Sequence, residues 1–380
     1  MARPAGPVRA TLASCENAII VGGVGRPEPI LSVPRPQRDH GFHALRVDRV
    51  VPETADTVSI VLDVPPELAG AFSYRAGQFC NVQVHIDGAP HMRCYSMSSS
   101  PELGEVMQVT VKRVPGGTVS NWINDHLRAG DVLELSPPAG FFQLTETDAD
   151  LVAFAAGSGI TPVFSLVKTA LAITGRTVRL HYANRDRGGV IFDAELAELE
   201  RRHRGRLAVV RSNDREHGLA TPDTAAAFAA PSAADGEFYV CGPGPYMQIV
   251  EEGLRLLGVG PPRIHIERFA SSDPIVGTPQ PPPEPAGGTT VTIELEGRTE
   301  VTDHHPGTTI LQTARQTGLS PPFSCESGSC ATCMARLVDG AVSMYVNNAL
   351  TPDEVEDGWV LTCQSVPTTP TVHVVYGTAD

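Results

Sequence analysis

The sequence lacks the features that place a chain in a membrane, on nucleic acid or in the secretory pathway. Its apolar runs all fall short of the roughly 20 residues that a membrane-spanning helix needs. Basic residues are too few for a nucleic-acid-binding surface, because 29 Lys and Arg face 43 Asp and Glu and leave a net charge of -14. The segment Leu12-Ala13-Ser14-Cys15 looks like a lipoprotein cleavage box, but no apolar segment precedes it. We therefore expect a cytoplasmic protein without a membrane or nucleic-acid partner.

Cysteine is present in a pattern that indicates a metal centre. Eight cysteines without a secretory signal favour metal binding over disulfides. Cys325, Cys330 and Cys333 follow a C-x4-C-x2-C spacing, and Cys363 lies thirty positions after Cys333. Four thiolates suit zinc or iron–sulfur, but zinc usually takes two C-x2-C pairs, whereas this spacing is the plant-type [2Fe–2S] arrangement. We predict a [2Fe–2S] cluster held by these four cysteines; a zinc site and four unrelated thiols are the alternatives.

The hydrophobic pattern changes along the chain and predicts three domains. Six short alternating runs separated by turn residues predict a small antiparallel β-barrel, with strands at His43–Val50, Thr57–Val64, Gln78–Ile86, His91–Ser98, Val106–Arg113 and Val132–Ser136. Apolar runs that alternate with helical stretches then predict a parallel sheet covered by helices, Pro162–Thr174, Phe192–Arg202 and Pro245–Leu257. A small mixed domain with a helix near Thr309–Gln316 carries the cysteines. The expected boundaries are a disordered tail at 1–38, the barrel at 39–145, the α/β domain at 146–270, a proline-rich linker at 271–289 and the cysteine domain at 290–380.

One barrel strand and the turn after it carry the residue types that a flavin needs. Arg93 offers a fork for a pyrophosphate, Tyr95 a flat ring for the flavin, and Ser96 a hydroxyl for its reactive nitrogen. Four further residues form a glycine–serine turn before a predicted helix, Asn121–Arg128, for which Ser120 is the expected N-cap. These residues are Gly116, Gly117, Thr118 and Ser120. A pyrophosphate site predicts FAD and not FMN; a buried strand with a satisfied tyrosine is the alternative.

Two turns of the α/β domain suit a dinucleotide. Gly157 and Gly159 permit close backbone approach, and Thr161 opens a helix whose N-terminus can hold a phosphate. The pattern is not G-x-G-x-x-G, so the usual dinucleotide fingerprint does not apply. Cys241, Gly242 and Pro243 end a later strand at the same sheet edge. We expect Cys241 to contact the nicotinamide; a small buried thiol is the alternative.

Coenzyme choice should be decided at the ends of the second and third strands of this sheet. Asn184 and Arg185 end the second strand, and Arg211 ends the third. Each arginine has an aspartate one to three residues away, which would repel a 2′-phosphate and accept from ribose hydroxyls. We expect NADH to be preferred over NADPH.

In this order the motifs resemble the ferredoxin-NADP reductase superfamily, fused to a C-terminal plant-type ferredoxin of the β-grasp fold. The resemblance covers residues 39–380, and its details look most like reductases of 3-ketosteroid-9α-hydroxylases. It implies that Arg93, Tyr95 and Ser96 bind FAD, that Gly117 and Ser120 hold its pyrophosphate, that Thr161 and Cys241 flank the nicotinamide, that Phe269 lies beside the flavin, and that Cys325, Cys330, Cys333 and Cys363 ligate the cluster.

The expected function is that of an NAD(P)H-dependent reductase. A hydride would pass to FAD, with Ser96 and Cys241 nearest the chemistry, and single electrons would leave through the cluster to a terminal oxygenase. The resemblance implies a Rieske-type ketosteroid 9α-hydroxylase as that partner. A reductase for a phenylacetyl-CoA epoxidase and a non-catalytic electron carrier that has lost its flavin are the alternatives.

Overall fold

The computed structural model describes residues 19–22, 42–269, 288–295, 297–323, 326, 328, 331–347 and 349–376. The chain forms two compact units: a larger unit, Arg38–Ser271, and a smaller unit that combines Met1–Gln37 with Ser272–Asp380. Residues 271–287 of the predicted linker lie outside the described ranges. Within those ranges, no helix is long and apolar enough to cross a bilayer. The first strand, β1 (Ile19–Gly22), belongs to the smaller unit and is described with it.

The first half of the larger unit is the predicted antiparallel barrel. Its strands have the order β5-β4-β7-β2-β3-β6, and a bridge between Met97 and Val109 joins the two ends of that order. Alternate side chains such as Leu45, Ile60 and Val82 point inward and are fully buried. The strands are β2 (His43–Thr54), β3 (Thr57–Asp63), β4 (Phe79–Ile86), β5 (Ala89–Ser96), β6 (Gln108–Lys112) and β7 (Val132–Leu135).

The barrel helix α1 (Thr118–His126) begins earlier than the sequence predicts. Gly117 is its N-cap, and Ser120 lies in the first turn. The Ser120 hydroxyl accepts a hydrogen bond from the backbone N–H of Val114 at 3.1 Å. The prediction that Ser120 caps the helix is wrong, because its side chain stabilises the turn before the helix instead.

The second half of the larger unit is a parallel five-stranded sheet with the order β10-β9-β8-β11-β12. The chain adds strands toward one edge from β8 to β10 and then crosses back to add β11 and β12 on the other side. The gap beyond β8 and β11 is therefore a topological switch point, where such sheets bind ligands. The elements are β8 (Leu151–Ala156), α2 (Ile160–Ile173), β9 (Val178–Asn184), α3 (Asp193–Arg202), β10 (Leu207–Asn213), α4 (Asp214–His217), α5 (Pro222–Ala229), β11 (Glu237–Cys241), α6 (Gly244–Leu256) and β12 (Ile264–Glu267).

The smaller unit contains a mixed five-stranded sheet with the order β14-β13-β19-β15-β17. The strands β13 and β19 pair in parallel, and α7 packs its apolar side chains into the same core. Thr309 caps α7 by accepting from the backbone N–H of Gln312, at the helix start that the sequence predicts. The elements are β13 (Thr289–Leu295), β14 (Arg298–His304), α7 (Ile310–Gln316), β15 (Met334–Asp339), β16 (Ala341–Met344), α8 (Pro352–Glu356), β17 (Trp359–Leu361), β18 (Ser365–Pro367) and β19 (Thr371–Val375).

The N-terminal segment contributes a strand to the smaller unit. Strand β1 pairs antiparallel with β16, from Ile19 opposite Met344 to Gly22 opposite Ala341, and forms the sheet β1-β16-β18. The prediction of a disordered tail is wrong for these four residues, because their backbone completes an edge that β16 would otherwise expose. Residues 1–18 and 23–41 lie outside the described ranges.

Deleting residues 1–22 should lower the thermal unfolding temperature of the smaller unit and leave that of the larger unit unchanged. The deletion removes several backbone hydrogen bonds, each contributing about 1 kcal/mol, and 1 kcal/mol shifts the melting temperature of a small domain by about 4–8 °C. Differential scanning calorimetry measures both transitions. Deleting residues 1–17, which keeps β1, is the matched control. Equal melting of the two truncated proteins would show that β1 does not stabilise the sheet.

Candidate functional site

The predicted flavin strand is β5, at one end of the barrel's strand order. Arg93 is exposed, and its guanidinium donates to the carbonyl oxygen of Met92 at 2.7 Å. Tyr95 packs against the barrel core, and burial raises the pKa of its hydroxyl. Ser96 is only 2% exposed, and its Oγ has no hydrogen-bond partner among the described residues. A buried hydroxyl without a partner is unfavourable, so this atom fits a site that a bound flavin completes.

The predicted phosphate turn lies at the N-terminus of α1, and α1 contacts both β5 and β6. Gly116 has a φ of +71°, which favours glycine. A Cβ at Gly117 would lie 2.8 Å from the Ser120 Oγ, so only glycine fits there without a shift. Thr118 is the first helical residue and is exposed. The turn thus places free helix N–H groups beside the flavin strand, as a pyrophosphate site requires.

The two dinucleotide turns meet at the switch point of the parallel sheet. A Cβ at Gly159 would lie 2.2 Å from the carbonyl oxygen of Cys241 and 2.7 Å from the backbone nitrogen of Gly242, so the two backbones are in direct contact. Gly157 has a φ of +53°. The Thr161 hydroxyl donates to the carbonyl oxygen of Ser158 at 3.0 Å and closes the first turn. Pro243 is the N-cap of α6 in the second turn. The structure therefore brings the predicted nucleotide residues together.

Cys241 takes part in this site through its backbone. Its side chain is fully buried in the core of the nucleotide half. Burial raises the pKa of the thiol well above its usual range, and the nearby Glu267 carboxylate raises it further. The thiol therefore stays protonated and does not act as a thiolate. A nicotinamide contact of Cys241 remains a prediction.

Tyr182 is a residue to which the sequence analysis assigned no role in the site. Its buried hydroxyl donates to the carbonyl oxygen of Gly157 at 3.3 Å and accepts from the backbone N–H of Ile191 at 3.1 Å. It thus holds the first dinucleotide turn against β9. The signal in the sequence is a tyrosine within a buried strand. Its hydrogen-bond partners lie 25 and 9 positions away along the chain and become visible only in the fold.

Asn184 ends β9 and is buried, while Arg185 directly after it is exposed. The Asn184 side-chain Nδ2 has no hydrogen-bond partner within the described ranges. It lies at the sheet edge where a dinucleotide ribose is expected, and its donor suits a hydroxyl or phosphate oxygen. Phe269, at the end of the described part of the larger unit, packs against the core of the nucleotide half. Contacts of Asn184, Arg185 and Phe269 with cofactors stay predictions.

Three arginines near this edge are paired with carboxylates. Each pair neutralises a charge that would otherwise attract a 2′-phosphate. Arg211 forms ion pairs with two carboxylates. The pairs are Arg211 with Asp193 at 2.7 Å and with Glu200 at 2.8 Å, Arg187 with Glu216 at 3.0 Å and Arg215 with Asp186 at 3.5 Å.

Two of the four predicted cluster ligands lie in the described part of the smaller unit. Cys333 and Cys363 are buried, with 2% and 5% exposure, whereas Cys325 and Cys330 lie outside the described residues. Thr362 joins the two segments, because its N–H and hydroxyl both donate to the carbonyl oxygen of Cys333, at 3.2 and 2.7 Å. The two thiols are thus carried by adjoining segments, as a shared cluster requires.

Gln364 connects the cysteine loop to the last predicted ligand. Its buried side-chain Nε2 donates to the carbonyl oxygen of Glu326 at 2.8 Å and lies 3.1 Å from the Cys363 carbonyl oxygen and 3.6 Å from the Cys363 Sγ. Glu326 has a left-handed φ of 47°. At Gly328 a Cβ would lie 2.6 Å from the carbonyl oxygen of Val346, so the loop requires glycine there. An N–H directed at a ligand sulfur is a group that tunes cluster potential.

Comparison with known families agrees with this geometry. The sequence matches three family models in order: an oxidoreductase FAD-binding domain over residues 45–144, an oxidoreductase NAD-binding domain over 154–252 and a 2Fe-2S iron-sulfur cluster binding domain over 293–368. The predicted barrel, parallel-sheet and ferredoxin architecture is confirmed. The cofactors are therefore FAD, NAD(H) and a [2Fe–2S] cluster.

Similar proteins share the whole arrangement. The ferredoxin reductase component of 3-ketosteroid-9-alpha-monooxygenase from Rhodococcus rhodochrous is 40% identical over 89% of this chain and 98% of its own length. A component of the 1,2-phenylacetyl-CoA epoxidase from Escherichia coli is 33% identical over 88% of this chain and 97% of its own length. The structure of phthalate dioxygenase reductase shares the fold, with 24% identity, a TM-score of 0.58 and coverage of 88% of this chain and 98% of that one. The chain belongs to the family of oxygenase reductase components, which carry electrons from NAD(P)H through FAD and a [2Fe–2S] cluster to an oxygenase.

Proposed function

We propose that this protein is the NADH-dependent reductase of a ketosteroid 9α-monooxygenase. The main structural support for a reductase is the contact between the Gly159 and Cys241 backbones at the switch point. This contact leaves peptide groups at the bottom of the crevice, where a dinucleotide can bind. The choice of oxygenase rests on similarity, since identity to ketosteroid monooxygenase reductases reaches 40% against 33% for the epoxidase component. The epoxidase reductase is the second candidate.

The residues of this chain bind and orient the cofactors, which supply a hydride donor, a two-electron carrier and a one-electron carrier when bound. Ser96 would hydrogen-bond the reactive flavin nitrogen, and Tyr95 would lie against the ring. Arg93 and the N–H groups at the start of α1 would hold the flavin pyrophosphate.

Other residues would hold the coenzyme and the cluster. Gly157, Gly159 and Thr161 would receive the coenzyme pyrophosphate at the start of α2. Cys241, Gly242 and Pro243 would flank the nicotinamide. The four cysteines of the C-x4-C-x2-C…C set would ligate the cluster.

The proposed partner is tested by reconstitution with purified oxygenases. NADH-driven consumption of a 3-ketosteroid by a ketosteroid 9α-oxygenase should exceed NADH-driven turnover by a phenylacetyl-CoA epoxidase at equal reductase concentration. Omitting the reductase controls for background oxidation. Equal or faster turnover with the epoxidase would contradict the ketosteroid assignment.

Replacing Cys333 with Ser should abolish the cluster and spare the flavin. The substitution removes a thiolate ligand from the smaller unit, while the flavin and nucleotide residues lie in the larger unit. Iron content and electron paramagnetic resonance measure the cluster, and anaerobic flavin reduction by NADH measures the other half. Cys15→Ser, outside the predicted ligand set, is the control. A Cys333→Ser protein with wild-type iron content would disprove the ligand assignment.

Replacing Gln364 with Met should make the cluster potential more negative. Methionine keeps the length of the side chain but removes the N–H group near the Cys363 Sγ. One hydrogen bond contributes about 1 kcal/mol, which is about 40 mV for a one-electron couple, since 59 mV is a tenfold change. A redox titration followed by electron paramagnetic resonance measures the shift. Exposed Gln316→Met is the control, and an unchanged potential in Gln364→Met would exclude the N–H contribution.

NADH should exceed NADPH in kcat/KM by roughly tenfold or more, about 1.4 kcal/mol of transition-state binding. Arg187, Arg211 and Arg215 at the sheet edge are paired with carboxylates, and the Asp186 carboxylate can accept from ribose hydroxyls. Steady-state kinetics with both coenzymes tests the preference.

One substitution tests which group at the sheet edge discriminates between NADH and NADPH. Asp186→Ser should raise kcat/KM for NADPH, because it releases Arg215 and removes a repelling carboxylate. Asp223→Ser on α5 is the control. If only Arg211 substitutions change coenzyme preference, the discrimination lies on the third strand, β10.

A further inference from the structure

A polar face of α2 joins the nucleotide half of the larger unit to the barrel. Ser165, Lys168 and Thr169 lie on that face, at the spacing of three and four residues that aligns side chains on a helix. The Ser165 hydroxyl donates to the carbonyl oxygen of Ser99 at 2.6 Å, and the Thr169 hydroxyl shares a hydrogen bond with the Ser100 hydroxyl at 2.7 Å. We call α2 and the barrel segment 98–105 that it contacts the seam.

An ion pair lies at the centre of the seam. The Lys168 ammonium is 9% exposed and pairs with the Glu105 Oε2. The same oxygen accepts from the backbone N–H of Ser100 at 2.7 Å. Burial lowers the pKa of Lys168, and the Glu105 carboxylate opposes that shift. The Glu105 side chain is 35% exposed, so water reaches the carboxylate, but loss of the pair would leave the Lys168 charge buried without its partner.

Aromatic packing holds the lysine in place from the nucleotide side. The Lys168 Nζ lies 4.5 Å from the centre of the Phe164 ring, and the Phe164 ring stacks on Phe192 with 4.5 Å between ring centres. Phe192 has a φ of 59°, a left-handed conformation that is unfavourable for a bulky residue. Phe192 thus stacks on Phe164 while its own backbone is strained. Strained backbone conformations cluster at functional sites, where the surrounding structure holds a required geometry.

Beside the ion pair, the two halves of the larger unit part. A cleft of about 620 Å³ lies there, lined by Lys168, Glu105, Phe164, Phe192, Glu195 and Arg202 among others. Continuous apolar packing across this region would fix the relative position of the two halves without polar contacts. Next to an open cleft, the contacts of the seam contribute to the relative position of the halves, together with the apolar packing of Ala76 and Phe142 against the core of the nucleotide half.

We propose that the Lys168–Glu105 pair is a positioning device for hydride transfer, which sets the distance between the flavin strand and the nicotinamide turn. The helix α2 begins directly after Gly159, and the segment 98–105 begins two residues after Ser96. Both ends of the seam thus connect through short, ordered chain to residues of the proposed cofactor sites. Lys168 contacts no reacting atom, so it is a positioning residue, and the inference rests on the proposed function.

The test compares hydride transfer with stability in Lys168→Met, Glu105→Gln and the double variant. Stopped-flow flavin reduction at saturating NADH gives the limiting rate, and its NADH dependence gives the apparent Kd. Thermal unfolding, FAD content and the long-wavelength charge-transfer absorbance of reduced flavin with NAD+ are measured on the same samples. Arg255→Met removes an exposed ion pair with Glu252 within α6 and is the matched control.

Lys168→Met should lower the limiting rate by roughly tenfold or more, because small misplacement of reacting atoms has effects of this size. The apparent Kd should change by no more than about twofold, and the charge-transfer absorbance should weaken. The double variant should regain the thermal stability that Glu105→Gln loses, since it no longer leaves the buried Lys168 charge alone, but it should not regain the rate. A rate that follows the melting temperature through all three variants would overturn the proposal and leave only a structural role.

Two milder variants decide the question if Lys168→Met does not retain FAD. Ser165→Ala removes one hydrogen bond of the seam and Thr169→Val removes two, to Ser100 and Glu102. Each should lower the limiting rate by roughly two- to fivefold. Wild-type rates in both would overturn the proposal. Failure of the proposed function looks different: wild-type flavin would be reduced by NADH, but no ketosteroid oxygenase would accept the electrons, and the effect of Lys168→Met on flavin reduction would be unaffected.

Discussion

The nucleotide half depends on a contact between two backbones that only glycine allows. At Gly159 any side chain would place its Cβ 2.2 Å from the carbonyl oxygen of Cys241, far inside van der Waals contact. Because the turns after β8 and β11 touch, the floor of the crevice between them consists of peptide groups and helix N-termini. Such a floor binds phosphate well but carries no acid, base or nucleophile. The chemistry at this edge must therefore come from cofactors, which agrees with the buried, protonated thiol of Cys241.

The cysteine loop of the smaller unit also contains unfavourable backbone conformations, and a side-chain hydrogen bond stabilises one of them. Glu326 and Ala331 have left-handed φ values of 47° and 56°, which are unfavourable for residues with a Cβ. Gln364 stabilises the first of these through its hydrogen bond to the Glu326 carbonyl oxygen. Metal ligation supplies free energy to a folded loop that the chain alone would not favour. A loop of this shape is thus suited to a cluster and would be costly without one.

The sequence predicted the elements whose signals lie within a few neighbouring residues. Strand alternation located all six barrel strands, and the glycine turns marked the ends of β8 and β11, because backbone demands appear directly as residue types. Contacts between distant side chains outside the motifs were not predictable. The Lys168–Glu105 pair spans 63 positions, and strand β1 forms only because β16 offers an edge. The helix α5 was missed because its alanine-rich sequence lacks a clear apolar stripe.

Coenzyme discrimination follows from pairing and not from the number of basic residues. A count of arginines at the sheet edge would favour NADPH, because Arg185, Arg187, Arg211 and Arg215 all lie near it. Three of these arginines, Arg187, Arg211 and Arg215, are paired with carboxylates, and Arg211 with two, whereas exposed Arg185 has no ion pair within the described ranges. A 2′-phosphate would have to displace a carboxylate that is already in place, and the released carboxylate would then repel it. Ribose hydroxyls meet no such competition, since they can donate to the carboxylates without breaking the pairs. The pairing of Arg187, Arg211 and Arg215 therefore supports the proposed preference for NADH.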